Sequence, residues 1–238
     1  MIQTIIKIVN FVLWFSIAIV TGVVAAFIKV PNMDIWMLLF IMFGYFFSSL
    51  AVDVLWSMYA QKKMQKLQPL LLGQQRNPPL YIKEIGKLRD NSRGPAVRAC
   101  CGVNIACAYS MMGDYASAKG EMLSIKYKRL RDPLLTNYWI SYAQLHFESG
   151  DYYNGMRVCE EQAAKFETYR EHPVLGGYVA MLDFYKRLAK NDTEGIEEAM
   201  AAARAKWNAD IYREDWEKLE EIRKRQKMSK ECEGQTKN

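Results

Sequence analysis

The apolar positions of the chain follow two patterns, and the change comes near residue 60. Ile8 to Ile28 is a run of 21 residues without a charged side chain, and Ile35 to Tyr59 is again mostly Leu, Ile, Phe and Val. At about 1.5 Å per residue the first run covers a hydrocarbon core about 30 Å thick. The polar stretch KVPNMD, Lys29 to Asp34, separates the two. The pair predicts a transmembrane helical hairpin over residues 1–60. Past Tyr59 the helical pattern continues through AQKKMQKLQ to Pro69, so the second helix is expected to project beyond the membrane and stop where the proline ring forbids a helix interior. LLLGQQRNPP is a breaker-rich linker, and Leu80, Ile82, Ile85 and Leu88 mark a short helix expected to cover the segment that follows. Residues 61–94 thus form a basic extension and linker.

From residue 95 to about 225 the apolar spacing stays helical, and one segment recurs. YSMMGDYASA, Tyr109 to Ala118, is matched 37 residues later by HFESGDYYNG, His146 to Gly155. Asn191-Asp192 stands in for Gly-Asp a further 41 residues on, behind a stripe of Met181, Phe184 and Leu188. Each helix-turn-helix leaves an apolar face that a neighbouring unit must cover, which predicts a stack of helical repeats. Trp207, Ile211, Trp216, Leu219 and Ile222 then recur at helical spacing among charges, with Glu214/Lys218 and Glu220/Lys224 four apart, as in a solvated capping helix. The polar tail 226–238 is expected to be disordered. The predicted fold class is all-α throughout.

The recurring segments resemble tetratricopeptide repeats. The matching residues are Ile105-Ala106, Tyr109, Gly113, Tyr115 and Ala118 in the first copy, and Trp139, Tyr142-Ala143, His146, Gly150, Tyr152 and Gly155 in the second. The spacing of 37 departs from the family's unit of about 34, Gly102 stands where Trp is expected, His146 where Tyr is usual, and the closing Pro is absent. The resemblance is to a degenerate member. Gly113 and Gly150 are expected to end their helices in the left-handed conformation. The resemblance implies an α-solenoid whose first helices line a groove. Its lining would be Cys100, Val103, Cys107, Ser110 and Met111 with Asn137, Ile140, Gln144 and Phe147; the alternative is that several of these face a neighbouring helix. No Lys/Arg cluster is present to clamp a terminal carboxylate, so a helix or extended apolar segment is the expected ligand.

Charge fixes a place for this architecture. Lys7, Lys29, Asp34 and Asp53 cancel over the first sixty residues, and residues 61–98 carry a net +7 within a total of +6. Lys62, Lys63 and Lys66 abut the second span, where basic residues stay on the cytoplasmic side and attract anionic headgroups. The expectation is a cell-membrane protein with two spans and both termini cytoplasmic. A cleaved signal peptide ending near Val24-Ala25-Ala26 is the alternative, but its apolar region would run about 7–15 residues. Ala18, Gly22 and Ala26 recur every fourth residue, with Gly44 and Ser48 as a matching row. They suit hairpin packing or dimerisation, so a homo-oligomer stays open. Asp53 lies about 27 Å along its helix, near an interface, where its insertion is tolerated; a proton path or a helix partner is the functional alternative.

Candidate chemistry is sparse. The five cysteines are odd in number and lack CxxC pairing, against a disulfide framework or metal site, and Cys100, Cys101 and Cys107 are expected as buried small side chains. His146 and His172 are the only histidines, and no GxSxG, Walker-type loop or HExxH occurs. Tyr81 is the lone aromatic among the basic residues, which excludes the interleaving that nucleic acid calls for. The expectation is a non-enzymatic, cofactor-free adaptor or scaffold, with membrane lipid and a protein as partners. The alternative is an accessory subunit of a transport or secretion complex that associates through its hairpin.

Overall fold

The computed structural model describes residues 2–28, 33–72 and 76–235. Its elements are α1 (Ile2–Ile28), α2 (Met33–Leu67), α3 (Pro69–Leu72), α4 (Pro78–Asn91), α5 (Pro95–Met111), α6 (Tyr115–Ser124), α7 (Leu134–Glu148), α8 (Tyr152–Glu161), α9 (Ala163–Thr168), α10 (Gly176–Ala189), α11 (Ile196–Lys206) and α12 (Arg213–Gln235), with two short 3-10 turns. No strand occurs among the described residues. The chain forms two compact units, Met1–Gly102 and Val103–Asn238, with the division inside α5.

In the first unit α1 and α2 pack along each other as a hairpin. Phe11, Phe15, Phe43, Phe46, Phe47, Leu50 and Leu55 all stand exposed on it. Two helices are therefore long and apolar enough to cross a membrane, and their apolar surface is not spent on a protein core. The polar side chains pair with each other instead. Lys7 Nζ lies 2.7 Å from Asp53, Gln3 Nε2 donates to Asp53 Oδ1 at 2.9 Å, and Asn10 Nδ2 donates to Ser48 Oγ at 3.0 Å. Gly44 is seated under the Trp14 ring, 2.1 Å from where a Cβ would stand. Gly22 has nothing within 4 Å of that position, so Trp14 and Asn10 rather than the Ala18 row mate with Gly44 and Ser48. The Ala26 side chain and the turn at 29–32 lie outside the described residues.

The second helix stops at Leu67 and Pro69 opens α3, as the proline ring requires. Asn77 caps α4 by accepting the Leu80 N–H at 3.1 Å. The apolar face of α4, with Tyr81, Ile85 and Leu88 buried, packs on α1, α2 and α3. Trp56 donates its indole N–H to Ser92 at 2.9 Å beside it.

The second unit repeats one turn three times. Gly113 N–H bonds the Ser110 carbonyl at 3.0 Å and Asp114 N–H reaches back to Tyr109 at 3.0 Å; Gly150 and Asp151 do the same to Phe147 and His146, and Asn191 and Asp192 to Leu188 and Arg187. This double closure needs a left-handed residue at the helix end, and φ is +78° at Gly113 and Gly150 and +57° at Asn191. Asp114 and Asp151 then cap the following helix through the N–H groups of Ser117 and Asn154. Asp192 bonds Arg187 instead, and α11 begins only after a second left-handed residue, Gly195. The longer spacing before this turn has its source upstream, where α9 and the segment that follows it separate α8 from α10.

Between the units of this repeat, small residues admit large ones. Gly155 leaves room for the Phe147 ring, 2.9 Å from a would-be Cβ, and Phe147 stacks on Tyr185 at 5.3 Å. Gly176 and Gly177 do the same for Trp207 and Tyr212. The resulting core holds Ala143, Val158, Leu182, Leu188, Trp216 and Leu219. Helix α12 runs on through Gln235, past Gln226 where composition predicts disorder. Lys224 and Arg225 pair four residues back with Glu220 and Glu221, which supports a helix without apolar burial. Residues 236–238 lie outside the description.

Candidate partner-binding site

The residues expected to line a groove divide between core and surface. Val103, Ile140 and Phe147 are 5%, 1% and 1% exposed, so they belong to the packing and offer nothing to a partner. Met111, Asn137 and Gln144 are partly exposed, and Ser110 is buried. Cys107 is exposed, in contrast to its expected burial, because it sits on the open side of the last turns of α5; Cys101 and Cys159 are buried and Cys100 is intermediate. The Cys232 side chain lies outside the described residues. In the first unit Lys62 and Lys66 are exposed, Lys63 is partly so, and Ala18 and Gly22 are half-buried.

Around Cys107 the ends of four helices bring a polar cluster together. Ser110 from α5 donates to Glu148 of α7 at 2.5 Å, and Lys218 of α12 donates both to Ser110, at 3.0 Å, and to Glu148. The Glu148 side chain is only 5% exposed, and Lys218 pairs with it there. The local pairing of Lys218 with Glu214 that the spacing suggests is set aside for this long-range one. Gln144 divides its carboxamide N–H groups between Glu148 at 3.3 Å and Asp215 at 3.1 Å.

Asp215 is the unbalanced member. No ion pair compensates it among the described residues, and burial together with the Glu148 charge raises its carboxyl to about 6. The Tyr185 hydroxyl from α10 is buried and closes no hydrogen bond; Gln144 lies beside it, and Glu148 and Asp215 are its charged neighbours. Cys107 is reachable by solvent, yet burial pushes its thiol up to about 12, with Asp215 and Glu148 adding to the effect. Tyr178 stands near the cluster, its pKa raised by burial and then by Asp215, and its hydroxyl donates to the Ile211 carbonyl at 3.3 Å.

Both histidines are engaged elsewhere. His146 Nδ1 meets Asp151 at 2.8 Å, and burial lowers its pKa; His172 accepts the Val174 and Leu175 N–H groups, each at 3.2 Å. No group of three metal-ligating side chains converges among the described residues. What the cluster around Asp215 provides is a pair of oxygen acceptors in low-dielectric surroundings, suited to a hydrogen-bond donor or a cation. Comparison with family models, with curated proteins and with solved structures finds no match to the chain.

Proposed function

We propose that the protein is a membrane-anchored scaffold in which α1 and α2 cross the bilayer and a tetratricopeptide-like stack, an α-solenoid, recruits a protein partner on the cytoplasmic side. The observation that carries this reading is the turn repeated at Gly113, Gly150 and Asn191, each ending a helix whose successor folds back. Such units build extended concave binding surfaces. The anchor is supported by the exposed apolar hairpin, and by Lys7, which neutralises the acid inside it. Lys62, Lys63 and Lys66 at the end of the second span favour cytoplasmic termini. The partner-facing positions are Cys107, Met111 and Gln144, supported from within by Val103, Ile140 and Phe147.

A second reading, an accessory subunit held by its hairpin, is favoured by the open space over Gly22. Photo-crosslinkers placed at Met111 and at Gly22 of the full chain in native membranes separate the two. Adducts to a protein from Met111 support the scaffold; adducts from Gly22 alone support the subunit and exclude the scaffold.

A further inference from the structure

We propose that the polar cluster shared by α5, α7, α10 and α12 receives a single lysine or arginine side chain from the partner segment, its cationic head docking on the Asp215 carboxylate with the Tyr185 hydroxyl as second acceptor. The inference rests on the scaffold reading and names the chemistry that reading leaves open. It begins from a charge count. Two carboxylates, Glu148 and Asp215, share the site with one cation, Lys218, and Lys218 is held by Glu148 and Ser110. Asp215 is left with a neutral Gln144 bond and, among the described residues, no ion pair of its own, feeling Lys218 only at a distance.

A second vacancy points the same way. Tyr185 is 1% exposed and its hydroxyl lacks a partner, although carboxylates and a carboxamide surround it. An ammonium brings three donors and a guanidinium five, enough to serve both oxygens at once. An anionic ligand meets repulsion from Asp215, and an apolar one seals an unpaired charge from water, so charge complementarity selects the cation. Cys107, which is exposed, lies near the same carboxylates.

The carboxyl must be ionised to hold a cation. The groups facing it are Cys107 of α5, Gln144 and Glu148 of α7, Tyr178 and Tyr185 of α10, and Glu214 and Lys218 of α12. With Asp215 titrating at about 6, binding is strong at pH 7.5 and weakens as pH falls through that value.

The test uses the full chain in phosphatidylcholine nanodiscs, as bait for a random peptide display library depleted on empty nanodiscs. Selected peptides are expected to share one Lys or Arg position. Replacing it by norleucine or citrulline weakens binding on the order of tenfold, and Asp215→Asn loses the same factor without adding to it. Tyr185→Phe gives a smaller loss, on the order of threefold. Between pH 7.5 and 5 affinity falls about tenfold in the wild type and stays level in Asp215→Asn. Peptides that bind equally with a neutral replacement, or keep their cation dependence in Asp215→Asn, overturn the proposal. If those peptides are blocked by Met111→Glu, the scaffold reading survives the loss. An empty selection counts against both.

Discussion

Gln144 and Asp215 meet at 3.1 Å from helices α7 and α12, and a neutral carboxamide is the group that the structure sets against a half-buried carboxylate. Burial and the neighbouring Glu148 raise that carboxyl to about 6, above the ordinary carboxylate value. Because the folded state disfavours the ionised form, Asp215 contributes most to stability at acid pH, and that contribution is lost as pH rises from about 4 through 6. Asp215→Asn keeps the Gln144 bond and removes the charge. It is expected to stabilise the protein by about 2 kcal/mol at pH 7.5 and by almost nothing at pH 4. Chemical unfolding of both proteins at the two pH values checks the sign.

The pair His146 and Asp151 predicts the opposite pH slope. Burial lowers the His146 pKa, against the pull of Asp151. For Asp151, burial acts upward but is outweighed by hydrogen bonds from Asn154, His146 and Lys119, which hold the carboxyl well below the carboxylate range. Both groups have depressed folded values. Their contribution is present above pH 6.5 for His146 and above pH 4 for Asp151, and is lost as pH falls below each. His146→Phe is expected to flatten the loss between pH 7 and 5.5. Asp151→Ala, which also removes a helix cap, costs about 1 kcal/mol at neutral pH.

The three turns give a graded test. A β-carbon at φ +78° is strained whatever the space around it, so Gly113→Ala and Gly150→Ala each destabilise by about 1–2 kcal/mol. Asn191 already bears that strain at φ +57°, and Asn191→Gly relieves it by about 0.5 kcal/mol. Equal losses at all three positions, read by urea midpoints, contradict a shared turn geometry.

These turns were legible because a local rule makes them: Gly-Asp or Asn-Asp after an apolar stripe ends one helix and starts the path to the next. The hairpin was legible for the same kind of reason, since length and the absence of charge suffice. The polar cluster was not. Lys218 lies 70 residues from Glu148 and 108 from Ser110, and nothing periodic relates them, while the nearby Glu214 offered a local partner. The groove positions divide between core and surface because core and groove faces of a short helix are adjacent. The face holding Ile140 and Phe147 turns toward α10, where Phe147 stacks on Tyr185, while Gln144 turns toward α12. Asp53 was read alone, because its partners Lys7 and Gln3 sit almost fifty residues earlier.

Inside the hairpin, Lys7 is what makes Asp53 tolerable. Removing one member of an ion pair in apolar surroundings strands the other, so Lys7→Met is expected to destabilise the hairpin by about 2–3 kcal/mol. Asp53→Leu in the same chain should restore most of the loss, because the two apolar side chains then share a lipid-compatible surface. Membrane insertion and proteolytic resistance of the single and double variants read this out. Equal damage from the double variant points to a role for Asp53 beyond pairing.

Cys107 tests the surroundings of the polar cluster directly. An exposed thiol on a convex face reacts at the rate of a free cysteine, whereas this one is pushed up to about 12 by burial and by the carboxylates near it. The thiolate fraction at pH 7.5 falls accordingly, and alkylation by iodoacetamide is expected to be on the order of a hundredfold slower than for free cysteine. Cys159, buried and likewise raised to about 12, is slower still and reacts only through unfolding, so the two are separated by mass spectrometry of the labelled peptides. Asp215→Asn removes one of the charges that disfavour the thiolate and speeds Cys107 by a few-fold, roughly, while leaving Cys159 unchanged. Labelling of Cys107 at the free-thiol rate places it on an open surface and counts against the desolvated cluster on which the binding site depends.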